Sequence, residues 1–242
     1  VFGVGVLLFI IATLLLATIA LSQNTEYGND DFKITNVEVT YHTNLDVLIW
    51  EITVAGNAGA TTPSPAGKMN GAPVLGYVFP TTLKSLDVGF SETDGIVALA
   101  LTSHPDFDDT PLWDENMDSK YDNDGVIWHP HWVVLVEDKR VEGGLAVKQF
   151  KKDDSTVKLP PTNPGIPMYM DSPGYGVKAI NNTIKVVVPK YRMNNQISFN
   201  YDGVAAYMQV NTENLDKPML GVYKVYSVAS GNLTLPYTVK SN

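Results

Sequence analysis

The chain has 242 residues, which a single all-β domain can use in full, and its 44% hydrophobic content excludes global disorder. Its formal net charge of −9, from 17 Lys+Arg and 26 Asp+Glu, argues against nucleic acid or an anionic lipid surface as a partner, because both bind basic patches. The absence of cysteine excludes disulfide frameworks, zinc ribbons, thiol catalysis and cysteine-ligated metal centres.

The chain begins with an apolar run, VFGVGVLLFIIATLLLATIAL, which is uncharged. A helix of that length is about 31 Å long and matches a bilayer core of about 30 Å. We therefore predict a retained transmembrane helix at 1–23, a linker at 24–31 and a domain at 32–242. The first charges after the run are acidic, whereas Lys and Arg mark the cytoplasmic flank, so we expect a single-pass protein of the cell membrane with this domain on the extracytoplasmic side. The alternative is a cleaved secretory signal ending near Ser22.

A hydrophobic helix that begins at residue 1 also resembles that of processed type IV pilins, including archaeal ones, in which such helices bundle into a filament core. The resemblance covers the first 23 residues and is one of composition. Bacterial pilins carry a glutamate at the fifth mature position, where this chain has Gly5. The resemblance implies a filament subunit that self-assembles through its N-terminal helix.

From Asp31 onward, apolar and polar residues alternate with the period of two that is typical of half-buried strands. Short strands separated by Gly and Pro, without helical crossovers, predict an all-β fold: an antiparallel β-sandwich of the cupredoxin, immunoglobulin or jelly-roll kind. Two long loops, 55–73 and 159–174, interrupt the pattern. The predicted strands lie at 37–42, 47–54, 74–79, 96–102, 126–136, 145–150, 184–188, 204–210, 222–228 and 233–239.

Residues 104–132 hold three of the four histidines and eight acidic residues. Like charges this close repel one another, and calcium neutralises such clusters because it takes about six to eight oxygen ligands. Oxygen-bearing side chains at alternate positions resemble the start of an EF-hand loop, although Ser119 and Gly125 replace its Gly and Glu. The alternative is a solvated acidic loop with a tight turn. The candidate calcium ligands are Asp114, Asn116, Asp118, Asp122 and Asp124.

The predicted strand at 126–136 carries His129 and His131 two residues apart, so both side chains point to the same face. Two imidazoles side by side on a strand are a common beginning of a copper, zinc or iron site. The alternative is that these histidines serve only hydrogen bonding. Pro130 lacks a donor for the ladder and therefore indicates a strand edge or a bulge.

A third metal ligand is predicted at His104, which follows the strand predicted at 96–102. If that strand pairs with the histidine strand, His104 reaches the same rim as the other two histidines. Asp106 and Asp108 are candidates to complete the shell or to orient a histidine ring from behind. Three histidines, or two with a carboxylate, suit Cu(II), Zn(II) or Fe(II).

The sequence Trp128-His129-Pro130-His131, followed by an apolar strand, resembles the Trp-His-x-His strand of the copper-binding, cupredoxin-like subunits of membrane-bound methane and ammonia monooxygenases. The resemblance implies copper bound by His129 and His131, in an extracytoplasmic β-domain that belongs to a membrane complex. The third ligand of that family is the amino-terminal histidine of the mature chain, and residue 1 of this sequence is Val1.

These observations predict a membrane-anchored, extracytoplasmic metal-binding subunit, accessory or structural, of a larger membrane complex. Copper is the first metal, with zinc or iron as alternatives, and calcium is expected in the acidic loop. The expected partners are the membrane and other membrane-protein subunits or further copies of the chain. The alternatives are the pilin-like filament subunit and a metal-dependent enzyme with an aspartate as base. No nucleotide-binding or serine-hydrolase motif is present, and the sequence singles out no catalytic residue.

Overall fold

The computed structural model describes residues 27–63, 69–104, 119 and 127–242. These residues contain fourteen β-strands and three short 3₁₀ helices, and no α-helix. The 3₁₀ helices are Asp30–Phe32, Ser85–Val88 and Lys190–Met193. The strands are β1 (Ile34–His42), β2 (Val47–Val54), β3 (Pro73–Pro80), β4 (Ile96–Ser103), β5 (His129–Glu137), β6 (Leu145–Val147), β7 (Met170–Asp171), β8 (Val177–Ile180), β9 (Thr183–Pro189), β10 (Asn200–Tyr201), β11 (Val204–Val210), β12 (Leu220–Val228), β13 (Tyr237–Thr238) and β14 (Lys240–Ser241).

The alternating sequence of β2 produces an alternating burial. Every second residue of this strand is buried, among them Trp50 and Ile52, while the residues between them are partly exposed. β5 is different, because its first seven residues are all buried. A strand that is apolar on one face needs a single layer of protein against it, whereas β5 must be covered on both faces.

Two sheets account for this difference. The first is open and runs in the order β14-β1-β2-β9-β8. The second sheet has six strands in the order β4-β3-β11-β12-β6-β5. Its last strand, β5, also pairs with its first strand, β4, so the sheet closes into a ring. The short strand β7 pairs with β5 beside the stretch that pairs with β6. One core lies between the two sheets, where Trp50 and Trp132 pack edge to face with ring centroids 5.8 Å apart. A second core fills the interior of the closed sheet.

The β-rich character predicted from the alternation is confirmed, and the predicted β-sandwich is wrong. The second sheet is not an open layer, because the pairing of β4 with β5 joins its two ends. Strands with apolar residues on both faces are compatible with a sandwich and with a closed sheet alike, and only the long-range pairing decides between them.

The predicted membrane anchor is also corrected. Within the described part of the chain, no helix has both the length and the apolar character needed to cross a bilayer. The segment to which the helix was assigned, 1–23, lies outside the described residues. The assignment rests on composition alone, and neither the single-pass anchor nor the cell-membrane, extracytoplasmic location derived from it is supported.

Candidate metal centre

The pairing of β4 with β5 brings the three predicted histidines to one end of the closed sheet. The two strands are antiparallel, with Thr102 opposite His129 and Ala100 opposite His131. Because side chains alternate along a strand, these four residues share the inner face of the closed sheet. His104 follows the last residue of β4 and continues the same face. The predicted meeting of His104 with the histidine pair is therefore confirmed.

The histidines form a compact, buried group. One nitrogen from each ring lies within 4.8 Å of the other two, so His104, His129 and His131 could together hold a metal ion. The closest pair is His104 Nε2 and His129 Nε2, at 2.8 Å. The three residues are only 7%, 4% and 4% exposed, in chain order. We refer to them as the histidine triad.

Hydrogen bonds fix the tautomers of the closest pair. His129 Nδ1 lies 3.2 Å from the carbonyl oxygen of Ile127, which can only accept, so Nδ1 carries the proton. The Nε2 atom of neutral His129 then has a lone pair, and His104 donates to it from its own Nε2. A metal ion at the triad would be held by Nε2 of His104 and Nε2 of His129 in place of this shared proton.

His131 is oriented from the segment that contains β7. His131 Nδ1 lies 3.0 Å from Ser172 Oγ. The backbone of Asp171, the residue before Ser172, also hydrogen-bonds to the ring of His131. Asp171 is itself held by Thr162, whose Oγ1 donates to Oδ1 over 2.6 Å. Hydrogen bonds of this kind behind a ligand fix the ring of a metal-binding histidine and raise its basicity.

Burial determines the charge of His129 and His131. Loss of hydration lowers the pKa of His131 to about 3, and the neighbouring His104 adds to the shift, while the hydrogen bond to the backbone of Asp171 opposes it. Burial likewise holds the pKa of His129 well below its ordinary value, with His104 and His131 adding to the shift. Both rings are therefore neutral at physiological pH, which is the form that binds a metal.

His104 also lines a small pocket that is rich in methionine. The pocket has a volume of about 30 Å³, and four of its lining side chains are methionines. The other lining residues are aliphatic. We call this the methionine pocket; its methionines are Met69, Met168, Met170 and Met219.

The remaining predicted ligands cannot be placed. Asp106 and Asp108 lie outside the described residues, and so do the five candidate calcium ligands Asp114, Asn116, Asp118, Asp122 and Asp124. Their roles stay predictions. Ser119, which falls within the acidic loop, is described and is exposed.

The sequence did not single out the residues behind the triad. Ser172 and Asp171 lie in the proline-rich segment 159–174, which was predicted only as a long loop. Thr102 stands two residues before His104, so the period of two residues in a strand could have placed it on the same face as His104. The methionine pocket combines residues from several distant segments and has no local signature in the sequence.

Comparison with known proteins finds no match for this chain among family models, curated proteins or solved structures. The local resemblance of the histidine strand to the copper-binding monooxygenase subunits therefore stays a prediction.

Proposed function

We propose that this protein is a metal-binding protein that holds one copper ion with His104, His129 and His131. The observation that carries the proposal is the burial of three histidines that each have a ring nitrogen within 4.8 Å of the other two. Burial keeps two of these rings, His129 and His131, neutral, which is the form that donates a lone pair to a metal. A metal ion bound by all three takes one ring nitrogen from each.

Copper is favoured over zinc and iron by the neighbouring side chains. Imidazole suits all three metals, whereas thioethers select Cu(I). The methionine pocket lies directly against His104 and thus places soft ligands beside the triad. Within the described residues the triad includes no carboxylate, which an iron site of the two-histidine, one-carboxylate type requires. The resemblance of the Trp-His-x-His strand points to the same metal.

We further propose an accessory role, in which the protein binds the metal for a larger assembly. The filament alternative rests on residues 1–23, which lie outside the described residues, and stays a prediction. The predicted partners, which are a membrane, other membrane-protein subunits and further copies of the chain, also stay predictions.

Metal titration of single-histidine variants tests the proposal. The wild-type protein should bind one copper ion per chain. His129→Ala, His131→Ala or His104→Ala should each weaken copper binding by roughly 100-fold or more, because losing a residue that only hydrogen-bonds to a metal ligand already costs about 10–100-fold in affinity. Equilibrium dialysis with elemental analysis measures both quantities. Urea denaturation of each variant shows whether it is still folded.

His42→Ala is the matched control, because His42 lies in β1 of the other sheet and hydrogen-bonds to Asn242. It should bind copper like the wild type. If His42→Ala loses copper as strongly as the triad variants, or if the triad variants keep it, the triad is not the site. In that case the three histidines form only a hydrogen-bonded part of the core.

The preference for copper has its own test in the methionine pocket. Met168→Leu and Met219→Leu conserve volume and remove the thioether, so we expect the Cu(I) affinity to fall by about tenfold and the Zn(II) affinity to stay unchanged. Competition with a coloured Cu(I) chelator measures the first affinity, and a zinc indicator measures the second. Met193→Leu is the control, because Met193 is buried in the core between the sheets. Equal losses for both metals would contradict a role for the thioethers in selection.

A further inference from the structure

The methionine pocket collects most of the chain's thioethers. The sequence contains seven methionines, and four of them line this one pocket. They come from three distant parts of the chain: Met69 lies before β3, Met168 and Met170 lie at β7, and Met219 directly precedes β12. Such a concentration at one small pocket points to a use of the sulfur atoms beyond the filling of space.

The pocket is small and offers few hydrogen bonds. Its volume of about 30 Å³ holds one water-sized particle, which needs roughly 10–15 Å³. A buried water molecule also needs about two to four polar partners, whereas His104 is the one lining residue whose side chain has a nitrogen or an oxygen. The pocket therefore suits an occupant that bonds to sulfur better than it suits water.

A soft, monovalent metal ion is an occupant of this kind. Thioether sulfur selects Cu(I), whereas imidazole also suits Cu(II) and zinc. Methionine has three rotatable side-chain bonds and a polarisable sulfur, so the sulfurs can turn toward an ion in a pocket of this size. Among the described residues, no carboxylate lines the pocket. The cost of dehydrating an ion rises with the square of its charge, so Cu(I) enters such a pocket at a lower cost than Cu(II).

His104 connects the methionine pocket with the histidine triad. It lines the pocket, and one of its ring nitrogens lies within 4.8 Å of a nitrogen of His129 and of His131. The pocket lining includes neither of these other two histidines. Two ligand sets of different softness therefore share one residue: three imidazoles on one side, and an imidazole with thioethers on the other.

From these features we propose that the methionine pocket is a second position for copper, which binds Cu(I) through thioether sulfurs and His104, while Cu(II) binds to the histidine triad. The inference rests on the proposed function in one respect, namely that copper is the metal. Because His104 belongs to both ligand sets, a chain binds one copper ion in either oxidation state. The oxidation state determines in which of the two positions the ion lies.

X-ray absorption spectroscopy tests the assignment on the full chain, loaded with one equivalent of Cu(I) under nitrogen or of Cu(II) in air. Sulfur should lie in the first coordination shell of Cu(I), and only nitrogen and oxygen in that of Cu(II). Cu(I) without sulfur neighbours overturns the proposal. An identical, sulfur-containing shell for both ions also overturns it, because a single site would then serve both.

Methyl NMR of protein labelled at the methionine methyl groups shows which residues respond. Ag(I) is the probe, because it is soft and monovalent like Cu(I) and is not oxidised by air. One equivalent should leave the signal of Met193, which is buried between the two sheets, unchanged. It should shift the signals of the four pocket methionines, Met69, Met168, Met170 and Met219. No shift at the pocket, or an equal shift at Met193, overturns the proposal.

Variants distinguish a failure of this inference from a failure of the proposed function. The double variant Met168→Leu, Met219→Leu should weaken Cu(I) binding by about 100-fold, the product of two tenfold losses, and leave Cu(II) binding unchanged. His129→Ala removes a triad ligand outside the pocket, so it should weaken Cu(II) binding and keep Cu(I). The two wild-type measurements decide the proposal even if the double variant fails to fold.

The outcomes for the two positions are separable. If His129→Ala loses Cu(I) as strongly as the double variant, one site serves both oxidation states, and the second position is overturned while the triad stands. If the pocket binds Cu(I) and Ag(I) but the triad binds no Cu(II), the methionine pocket is supported and only the proposed function is contradicted.

Discussion

Acidification from pH 7 to 4.5 should lower the free energy of unfolding of the metal-free protein by roughly 3 to 5 kcal/mol. The cause is the buried state of His129 and His131, whose pKa values lie well below the ordinary one. In the unfolded chain both rings take up a proton below about pH 6.5. In the folded protein they stay neutral, His131 down to about pH 3. The unfolded state therefore binds more protons in this window, and stability falls as the pH falls, by about 1.4 kcal/mol per pH unit and histidine.

Among the described residues, the carboxylates with shifted pKa values act mainly in the lower part of this window. The carboxylates of Glu38, Asp46 and Asp138 have lowered pKa values, because each is hydrogen-bonded to a lysine or arginine side chain. They therefore affect stability only toward the acidic end of this window and below it. Burial raises the pKa of Asp171, which gives one contribution of opposite sign in the lower part of the window. Of the described residues with shifted pKa values, it is therefore the histidines that account for a loss of stability between pH 6.5 and 5.

Urea denaturation at pH 7, 6, 5 and 4.5 measures the effect. The double variant His129→Asn, His131→Asn should lose most of the pH dependence above pH 5, and His42→Ala should keep it. A wild-type stability that is level from pH 7 to 5 would show that the rings are hydrated and charged in the folded protein. That result would also remove the basis for treating them as neutral metal ligands.

The sequence predicted most of the strands and the centre of the site because both depend on local spacing. The alternation predicts a strand at 47–54, and the structure has β2 at Val47–Val54. The spacing of two residues places His129 and His131 on one face of their strand. Neither prediction needs any knowledge of distant parts of the chain.

What the sequence left open depends on long-range contacts. The hydrogen bond between Ser172 and His131 joins residues 41 positions apart, and no local pattern indicates it. The closure of the second sheet by β4 and β5 is of the same kind. In an open sandwich, one face of β5 would lie outside and carry its histidines into water. Closure turns that face inward, which buries the triad and keeps His129 and His131 uncharged.

The opposite face of β5 holds the strand in place, so Trp132→Ala should destabilise the protein by about 3 to 5 kcal/mol. Trp132 is fully buried between the sheets, where it packs edge to face on Trp50, and its Nε1 lies 3.4 Å from the hydroxyl oxygen of Tyr175. Trp132 directly follows His131 in β5, so loss of its packing should also let His129 and His131 move out of their positions. Copper affinity should therefore fall together with stability, although Trp132 lies on the face turned away from the triad.

Urea denaturation and copper titration of the same samples test this coupling. Trp132→Phe fills most of the space and should recover a large part of both losses. Tyr191→Ala removes an aromatic ring that is 68% exposed and should change stability by no more than about 0.5 kcal/mol, with unchanged copper binding. If Trp132→Ala lost its stability but kept the full copper affinity, the triad would hold its geometry without support from the core. The position of the histidines would then be determined by the pairing of β4 with β5 and by the contact of Ser172 with His131, rather than by the packing between the sheets.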